Sequence, residues 1–284
     1  MVVLVTGASG QVGQALQFIA PIYSDIQFVF CNSKQLDITN LNNIKQLFEQ
    51  FKPDFCINTA AYTAVDKAES EPEKAHLINV EGAKNVAEIC KEFNTVLLHV
   101  STDFVFDGTK TVPYTEEDVP NPTSVYGQTK LDGEKSIQET WHKYFIIRTS
   151  WVYSQFGNNF MKTMLRLASE RDKLSVVNDQ IGTPTNAVDL AEILVKIILT
   201  NNQQLTTDNF GIYNFSNEGQ CSWYDFAEKI FEYNNINIQL EPIPTTSYPT
   251  PAKRPAYSVL NKRKLKNTFG FEIRNWEPAL RSII

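Results

Sequence analysis

The chain has 284 residues, of which 42% are hydrophobic and 20% charged, the balance of an ordinary globular protein. A formal net charge of −6 argues against a nucleic-acid partner, and no apolar run reaches the ~18 residues of a membrane span. The chain enters a strand without a basic leader, so we expect no secretory signal and a cytoplasmic protein. The four cysteines lack Cys-x-x-Cys spacing and are expected to be reduced core residues.

The first elements predicted are a buried parallel strand, a glycine turn and a helix. Val2–Val5 is wholly apolar and rich in β-branched residues, which is typical of a strand buried on both faces. In the turn that follows, Gly7 permits the sharp bend, Gly10 lets the backbone approach a pyrophosphate, and Gly13 lets the helix pack close to the strand. The helix N-terminus then presents unpaired N–H groups to the phosphates. This order predicts a dinucleotide-binding turn.

The end of the second predicted strand, residues 26–30, bears on the choice of nicotinamide cofactor. A carboxylate at this point holds the ribose 2′-hydroxyl in NAD-selective sites. Here the chain has Asn32, Ser33 and Lys34, which tolerate a 2′-phosphate. We therefore expect NADPH, with NADH as the alternative, although Lys34 is equally compatible with a solvated loop. Asp37 either accepts a hydrogen bond from the adenine amino group or belongs only to the turn.

Three further strands alternate with helices, which predicts an α/β, Rossmann-type doubly wound parallel sheet. These strands are expected at residues 55–58, 96–100 and 144–149. Ligands of open parallel sheets lie outside the carboxyl ends of the strands. Ser101, Thr102 and Asp103 follow the fourth strand and so stand where chemistry would occur. The same three residues also suit a turn that satisfies its own backbone.

A tyrosine and a lysine lie four residues apart in the helix predicted before the fifth strand. This spacing places Tyr126 and Lys130 on one helix face. A free phenol has a pKa near ~10, and a neighbouring ammonium would lower it, so that Tyr126 could protonate a carbonyl oxygen during reduction while Thr102 donates a hydrogen bond to it. A surface tyrosine beside a surface lysine gives the same spacing.

His99 is expected in the core, and the histidines lack metal-ligand spacing, so we predict no metal site.

The pattern changes after about residue 203, where helices lie among short strands and prolines. We predict a dinucleotide-binding domain over residues 1–152, with residues 182–216 returning to it. The smaller α/β substrate lobe is then expected to comprise residues 153–181 and 217–284.

Two residues outside the helix and the glycine turn are candidates for substrate contact. Trp151 follows the fifth strand and either forms an aromatic wall for a ring-shaped substrate or belongs to the core. Arg254 lies with Lys253 in a proline-restricted loop, where the two cations either hold a diphosphate or are solvated.

Four motifs together resemble the dTDP-4-dehydrorhamnose reductases, a family of extended short-chain dehydrogenases/reductases. They are Thr102–Gly108, Tyr126–Lys130, Arg148–Tyr153 and the Arg254-Pro255 pair. The resemblance covers nearly the full length and is far more specific than the glycine turn alone. It implies reduction of the C4 keto group of dTDP-4-dehydro-β-L-rhamnose by NADPH, with a dTDP-sugar as the binding partner.

The resemblance also implies roles for individual residues. Cofactor contacts would come from Gly10, Gln11 and Val12 at the pyrophosphate, from Asp37 and Ile38 at the adenine end, and from Ala61, Tyr62 and Thr63 at the middle. Tyr126 would donate the proton, and Lys130 would bind the nicotinamide ribose. The sugar nucleotide would be contacted by Thr102, Asp103, Trp151 and Arg254.

Two positions depart from the family pattern. Some members form dimers bridged by Mg²⁺ through acidic residues, one of them in the first helix. Here that helix has Gln14 and Ala15, so we expect a monomer or a weak homodimer. Phe104 stands where the family often has tyrosine, and any substrate contact of that hydroxyl would be lost.

Two alternative functions stay open. One is another nucleotide-sugar 4-keto-reductase or epimerase of the same superfamily. Dehydration is disfavoured, because similar dehydratases have glutamate where Phe104 follows Asp103. The other is a non-catalytic NADP-binding regulatory subunit, like that of methionine adenosyltransferase.

Overall fold

A parallel six-stranded sheet forms the centre of the protein, whose computed structural model describes residues 1–203 and 209–284. Within these residues the strands are β1 (Val2–Thr6), β2 (Gln27–Phe30), β3 (Phe55–Asn58), β4 (Val96–Thr102), β5 (Tyr144–Thr149), β6 (Val152–Tyr153), β7 (Lys173–Val177), β8 (Ile181–Gly182), β9 (Thr185–Asn186), β10 (Gly211–Asn214), β11 (Cys221–Ser222) and β12 (Gln239–Ile243). The central sheet has the order β10-β5-β4-β3-β1-β2, and its pairs are parallel. The predicted doubly wound α/β fold is confirmed.

Helices cover both faces of this sheet and also build a second core beyond it. They are α1 (Gln11–Ile19), α2 (Leu41–Phe51), α3 (Val65–Ala68), α4 (Pro72–His76), α5 (Gly82–Glu92), α6 (Val125–Thr140), α7 (Phe160–Glu170), α8 (Ala187–Gln203), α9 (Trp223–Tyr233), α10 (Arg263–Phe269) and α11 (Trp276–Arg281). Because side chains alternate along a strand, Val3 and Val5 of β1 pack with α1 and α8. Leu4 packs with α2 and α5 on the opposite face.

The helical segment between residues 72 and 92 is interrupted. A π-helical turn, Leu77–Glu81, separates α4 from α5, and such turns are frequent at functional sites. It carries the buried Asn79, whose amide accepts a hydrogen bond from Tyr62 N at 2.8 Å and donates one to Thr129 Oγ1 at 3.1 Å. The irregular turn thereby ties the loop after β3 to α6.

A second core lies beyond the central sheet. Phe226 and Ile230 of α9, Met161 of α7 and Trp276 of α11 are buried together, beside the parallel pair β7 and β12. The chain returns to the central sheet at β10, which pairs with β5. The division into two lobes at the stated boundaries stays a prediction.

The apolar segments of the described chain are those of a core. Among the described residues, no helix combines the length and apolar character required to cross a membrane. All four cysteines are buried and free, as expected of reduced core residues. They are Cys31, Cys56, Cys90 and Cys221.

Candidate active site

A cleft of about 810 Å³ opens outside the carboxyl ends of β1, β3, β4 and β5. It collects most of the residues singled out in the sequence. Those lining it are Gly7, Gly10, Gln11, Val12, Ser33, Asp37, Ile38, Ala61, Thr63, Thr102, Asp103, Tyr126, Lys130 and Trp151. Gly13, Asn32, Lys34, Tyr62 and Arg254 are the predicted site residues that do not line it.

The glycine turn is built as its sequence indicates. Gly7 has φ +66°, and a Cβ there would lie 2.7 Å from Ala60 N. A Cβ on Gly13 would lie 2.5 Å from Gly7 O, so Gly13 serves close packing rather than direct contact. Gly10 is the N-cap of α1, and this helix start has neither a side-chain cap nor an acidic residue in its first turn. Uncapped N–H groups and the helix dipole suit a pyrophosphate.

At the adenine end, the loop after β2 combines cleft residues with turn residues. Asp37 lines the cleft, but its carboxylate also accepts hydrogen bonds from Thr39 N at 2.9 Å and Thr39 Oγ1 at 2.8 Å. Asp37 is therefore a turn residue that also lines the cleft, and its contact with the adenine amino group stays a prediction. Asn32 Oδ1 accepts from Lys34 N at 2.9 Å, which makes Asn32 a turn residue here.

The loop after β3 contributes its small residues to the cleft and turns its tyrosine away. Ala61 and Thr63 line the cleft. Tyr62 is buried, and its hydroxyl donates to Glu71 Oε2 at 2.9 Å. Its backbone is held by Asn79 from the π-helical turn. Any contact of Tyr62 with a cofactor would thus involve its backbone.

Tyr126 lies in the first turn of α6, which Ser124 caps by accepting a hydrogen bond from Gly127 N at 3.1 Å. The Tyr126 side chain is 9% exposed and forms a side-chain hydrogen bond with Thr102. Phe104 packs edge-on against its ring, with centroids 5.5 Å apart. The structure therefore joins the end of β4 to α6 as predicted, with an apolar ring where the family often has a hydroxyl.

The pKa of Tyr126 moves in the direction opposite to the one expected. Burial raises it to about 12, and the charge of Asp103 adds to the rise, while the Thr102 hydrogen bond opposes it. Desolvation penalises the phenolate. Lys130 does not contribute to this shift; its Nζ contacts His99 Nε2 at 3.1 Å and donates to Val100 O at 2.8 Å. At neutral pH Tyr126 is consequently a phenol, the form that can donate a proton.

Lys130 is itself shifted by its surroundings. Only 2% of the residue is exposed, and burial lowers its pKa to about 8, partly offset by the charge of Glu134. A buried ammonium is costly. Lys130 thus titrates close to physiological pH. It is not the surface lysine that the four-residue spacing from Tyr126 also permitted.

Asp103 places a third perturbed group in the cleft. Burial raises its pKa to about 6, although the Ser258 and Thr102 side chains lower it in part. Oδ1 accepts from Thr102 Oγ1 at 3.1 Å. Oδ2 is buried and has no partner within normal hydrogen-bond geometry in the described chain. A buried, partly unsatisfied carboxyl is a ready partner for a polar ligand group.

A buried ion pair links β5 to α6, and the sequence analysis did not predict it. Arg148 of β5 donates to Glu134 of α6 through Nη2 at 2.7 Å and through Nε at 3.1 Å. Both side chains are at most 2% exposed. Ser101 donates to the same carboxylate. No local pattern signals this pair, because its members lie on separate elements that only the sheet brings together.

Trp151 is both part of the cleft wall and packed. It lines the cleft and has φ +47°, a left-handed conformation that is uncommon for a residue with a side chain. Its indole stacks on Trp223 of α9, with centroids 3.5 Å apart and planes at 9°. Trp151 therefore belongs to the cleft wall and also packs against the second core, while its contact with a substrate ring stays a prediction.

Arg254 is engaged elsewhere in this structure. Its guanidinium forms two parallel hydrogen bonds with Asp66, from Nη1 to Oδ1 at 2.9 Å and from Nη2 to Oδ2 at 2.7 Å. The structure does not bring Arg254 into the cleft lining. A diphosphate contact by Arg254 stays a prediction.

Residues 157–159 complete the cleft and were not predicted as site residues. Gly157, Asn158 and Asn159 line it, and Gln11 of the glycine turn binds this segment. Gln11 Oε1 accepts from Ser154 Oγ and from Asn159 Nδ2, both at 2.9 Å. The Gly-Asn-Asn sequence marks a loop and a helix cap, but nothing local shows which loop it meets.

Comparison with known proteins agrees with this geometry. A family model described as the RmlD substrate binding domain matches residues 1–284. The chain belongs to this family.

Relatives of the family match the chain over almost its whole length. A dTDP-4-dehydrorhamnose reductase from Aggregatibacter actinomycetemcomitans is 43% identical, over 99% of this chain and 97% of that protein. A crystal structure of a dTDP-4-dehydrorhamnose reductase from Clostridium acetobutylicum has a TM-score of 0.94 at 41% identity, over 100% and 98% of the two chains. The Bacillus anthracis enzyme in complex with NADP has a TM-score of 0.93 at 41% identity, over 99% and 98%. The predicted resemblance is confirmed.

Proposed function

We propose that this protein is a dTDP-4-dehydrorhamnose reductase, which reduces the C4 keto group of dTDP-4-dehydro-β-L-rhamnose to dTDP-L-rhamnose with NADPH. The family membership supports this function, as do relatives that carry this name and a neighbour crystallised with NADP. The observation that carries it is the meeting of Tyr126, Thr102, Asp103 and Lys130 in the cleft that the glycine turn enters.

The cleft residues divide into a phosphate end and a reaction end. The uncapped turn at Gly10, Gln11 and Val12 would hold the pyrophosphate, since its N–H groups are available to an anion. Ser33 lines the adenine end without adding negative charge, which suits a 2′-phosphate and hence NADPH. When bound, NADPH supplies the hydride for the C4 carbon.

The protein's own contribution to the chemistry is a positioned proton and a polar environment. Tyr126, a phenol at neutral pH, would give its proton to the oxygen that becomes negatively charged. Thr102 would donate a hydrogen bond to the same oxygen, which stabilises charge as it develops. Asp103 would bind a sugar hydroxyl through Oδ2, which has no partner within the described residues. Trp151 would pack on the sugar ring.

A coupled assay tests this function. The purified protein and NADPH would be mixed with dTDP-4-dehydro-β-L-rhamnose made enzymatically from dTDP-glucose. We expect one NADPH to be oxidised for each dTDP-L-rhamnose formed. An epimerase would recycle its cofactor without net oxidation, and a regulatory subunit would consume none. Either result would overturn the proposal.

We also propose the remaining context of the enzyme. Four buried free thiols suit a reducing compartment, which supports a cytoplasmic location. The net charge of −6 supports the absence of a nucleic-acid partner. Gln14 donates to Ser9 O at 2.8 Å and offers no carboxylate for a metal-bridged dimer, which supports a monomer or a weak homodimer.

A further inference from the structure

A buried chain of polar side chains runs behind Lys130 and crosses β1, β3 and β4. Thr6 Oγ1 of β1 donates to Asn58 Oδ1 of β3 at 2.6 Å. Asn58 Nδ2 lies 3.1 Å from His99 Nδ1 of β4, and His99 Nε2 lies 3.1 Å from Lys130 Nζ. Thr6 and Asn58 are fully buried, and His99 is 1% exposed. The chemistry described so far assigns no task to His99.

The backbone fixes the orientation of the Asn58 amide. The N–H of Ala60 points at Asn58 Oδ1 at 3.2 Å and at Thr6 Oγ1 at 3.3 Å, and the Thr6 hydroxyl donates to the same amide oxygen at 2.6 Å. If the amide were turned over, its NH₂ group would face the Ala60 N–H, and two donors would meet in a buried site. Asn58 Nδ2 must therefore be the atom that points at His99, and it is a donor.

This orientation decides the tautomer of His99. Because Asn58 Nδ2 donates, His99 Nδ1 must accept and can carry no proton. A neutral imidazole then has its single proton on Nε2. That proton points at Lys130 Nζ, and the lysine nitrogen can accept it only as a neutral amine. An ammonium has no lone pair, whereas a neutral amine has one lone pair and two N–H donors.

We propose that Asn58 and His99 are positioning residues, which present an Nε2–H donor to Lys130 and thereby favour its neutral amine form over the ammonium in the ligand-free protein. All contacts of the network are then satisfied. The Lys130 lone pair accepts from His99, one N–H donates to Val100 O at 2.8 Å, and one N–H remains for the cleft that Lys130 lines. Protonation of Lys130 would break one of the two hydrogen bonds of His99.

The charges around Lys130 are compatible with this state. On its own helix, Tyr126 is a phenol and Glu134 is paired with Arg148 of β5. From β3 the facing group is the neutral Asn58, and beyond β4 lies Asp103, a carboxyl whose pKa is raised by burial. Burial lowers the pKa of Lys130 to about 8 and lowers that of His99 further below its usual range, with a contribution from the charge of Lys130. Both shifts favour the neutral pair.

The test replaces Asn58 by the isosteric aspartate, which should reverse the tautomer of His99. In Asn58→Asp, one carboxylate oxygen still accepts from Thr6 and Ala60, and the other accepts from His99 Nδ1. The His99 proton should move to Nδ1, leaving Nε2 as an acceptor for a lysine ammonium. NMR of ¹⁵N-histidine and ¹³Cε-lysine would follow both groups, and His99→Phe and Lys130→Met would assign the two signals.

We expect the wild-type protein to show the Nε2–H tautomer of His99 and a Lys130 titration well below that of the other lysines. In Asn58→Asp we expect the Nδ1–H tautomer and a Lys130 titration at least about one pH unit higher, a tenfold gain in proton affinity. His99→Phe should raise the titration as well, since it removes the donor. An Nδ1–H tautomer in the wild-type protein would overturn the proposal whether or not a variant folds. An unchanged Lys130 titration in both variants would do so too.

A kinetic experiment rests on the proposed function, whereas the NMR experiment does not. If the ammonium form of Lys130 assists Tyr126, kcat should fall as pH rises through the Lys130 titration. In Asn58→Asp, kcat should then fall at a pH that is higher by the same amount as the Lys130 titration. The KM for NADPH should be little changed. If the reductase assignment is wrong, turnover is absent and the tautomer result still stands. If the assignment is right, the tautomer switches and the pH at which kcat falls stays unchanged, the kinetic role of Asn58 and His99 is overturned.

Discussion

The indole rings of Trp151 and Trp223 lie parallel, with centroids 3.5 Å apart and planes at 9°. Trp151 belongs to the cleft wall, and Trp223 is the first residue of α9 in the second core. Trp151 has a left-handed backbone, φ +47°, which persists only when neighbouring contacts hold it. The stack therefore couples the position of a ring in the cleft wall to an element that does not line the cleft.

Shortening Trp223 should loosen Trp151. An aromatic pair contributes about 0.5–1.5 kcal/mol beyond its buried area, so Trp223→Leu should raise the KM for the sugar nucleotide about two- to tenfold. Trp223→Phe keeps a stacking ring and is the matched control. Steady-state kinetics with each substrate varied would measure both constants. An equal rise in the KM for NADPH would instead indicate general unfolding.

Tyr126→Phe should reduce turnover by roughly 10²–10⁴-fold, the usual share of a general acid. The ring and its contact with Phe104 remain, so NADPH binding, measured by fluorescence titration, should be retained. Tyr248→Phe is the control, because Tyr248 is 60% exposed. Near-normal turnover in Tyr126→Phe would remove this hydroxyl from the mechanism.

Thr102 offers a pair of variants that separates its hydroxyl from its shape. Thr102→Val removes the hydrogen bonds to Tyr126 and Asp103. A lost buried hydrogen bond costs about 1–3 kcal/mol, so kcat should fall about 5- to 150-fold. Thr102→Ser keeps the hydroxyl and should stay within a few-fold of the wild type. Equal activities of the two variants would contradict a role for the hydroxyl.

Asp103 should make the protein less stable as pH rises. Its folded-state pKa is raised from 3.8 to about 6, so the unfolded state loses this proton first. Its contribution to the free energy of unfolding is therefore greatest below pH about 4 and is lost between pH about 4 and about 6. The total is about 3 kcal/mol, from a shift of about two units.

The neutral variant Asp103→Asn should avoid this loss. Urea unfolding at pH 4 and at pH 7.5 would compare the two proteins. We expect Asp103→Asn to gain stability relative to the wild type at the higher pH, by at most about 3 kcal/mol. A difference between the proteins that does not change with pH would contradict the raised pKa.

The buried pair of Glu134 and Arg148 should be needed as a pair. Removing one partner of a buried ion pair typically costs about 3–5 kcal/mol, because the other charge stays buried alone. Glu134→Gln should therefore lower the free energy of unfolding by an amount of this order, measured by urea denaturation. Adding Arg148→Met should recover part of the loss. Full additivity of the two single changes would show that the residues do not interact.

The fold and the phosphate end of the cleft could be predicted because their signals are local. Alternating apolar runs and helices predicted the parallel sheet, and each predicted strand of residues 1–150 lies where expected within two residues. The spacing of Gly7, Gly10 and Gly13 predicted the turn, since a sharp bend and a close helix contact exclude a Cβ at Gly7 and Gly13. The helix period likewise placed Tyr126 and Lys130 on one side of α6.

The sequence alone thus determined the order of the elements and the residue types at the carboxyl ends of the strands. Only the tertiary structure decided their protonation and their partners. Burial, not the neighbouring lysine, controls the pKa of Tyr126. Lys130 meets His99, Trp151 meets Trp223, and Arg254 meets Asp66 across 188 residues of chain. Desolvation and long-range contacts depend on how distant segments pack, and no local pattern of residues records that packing.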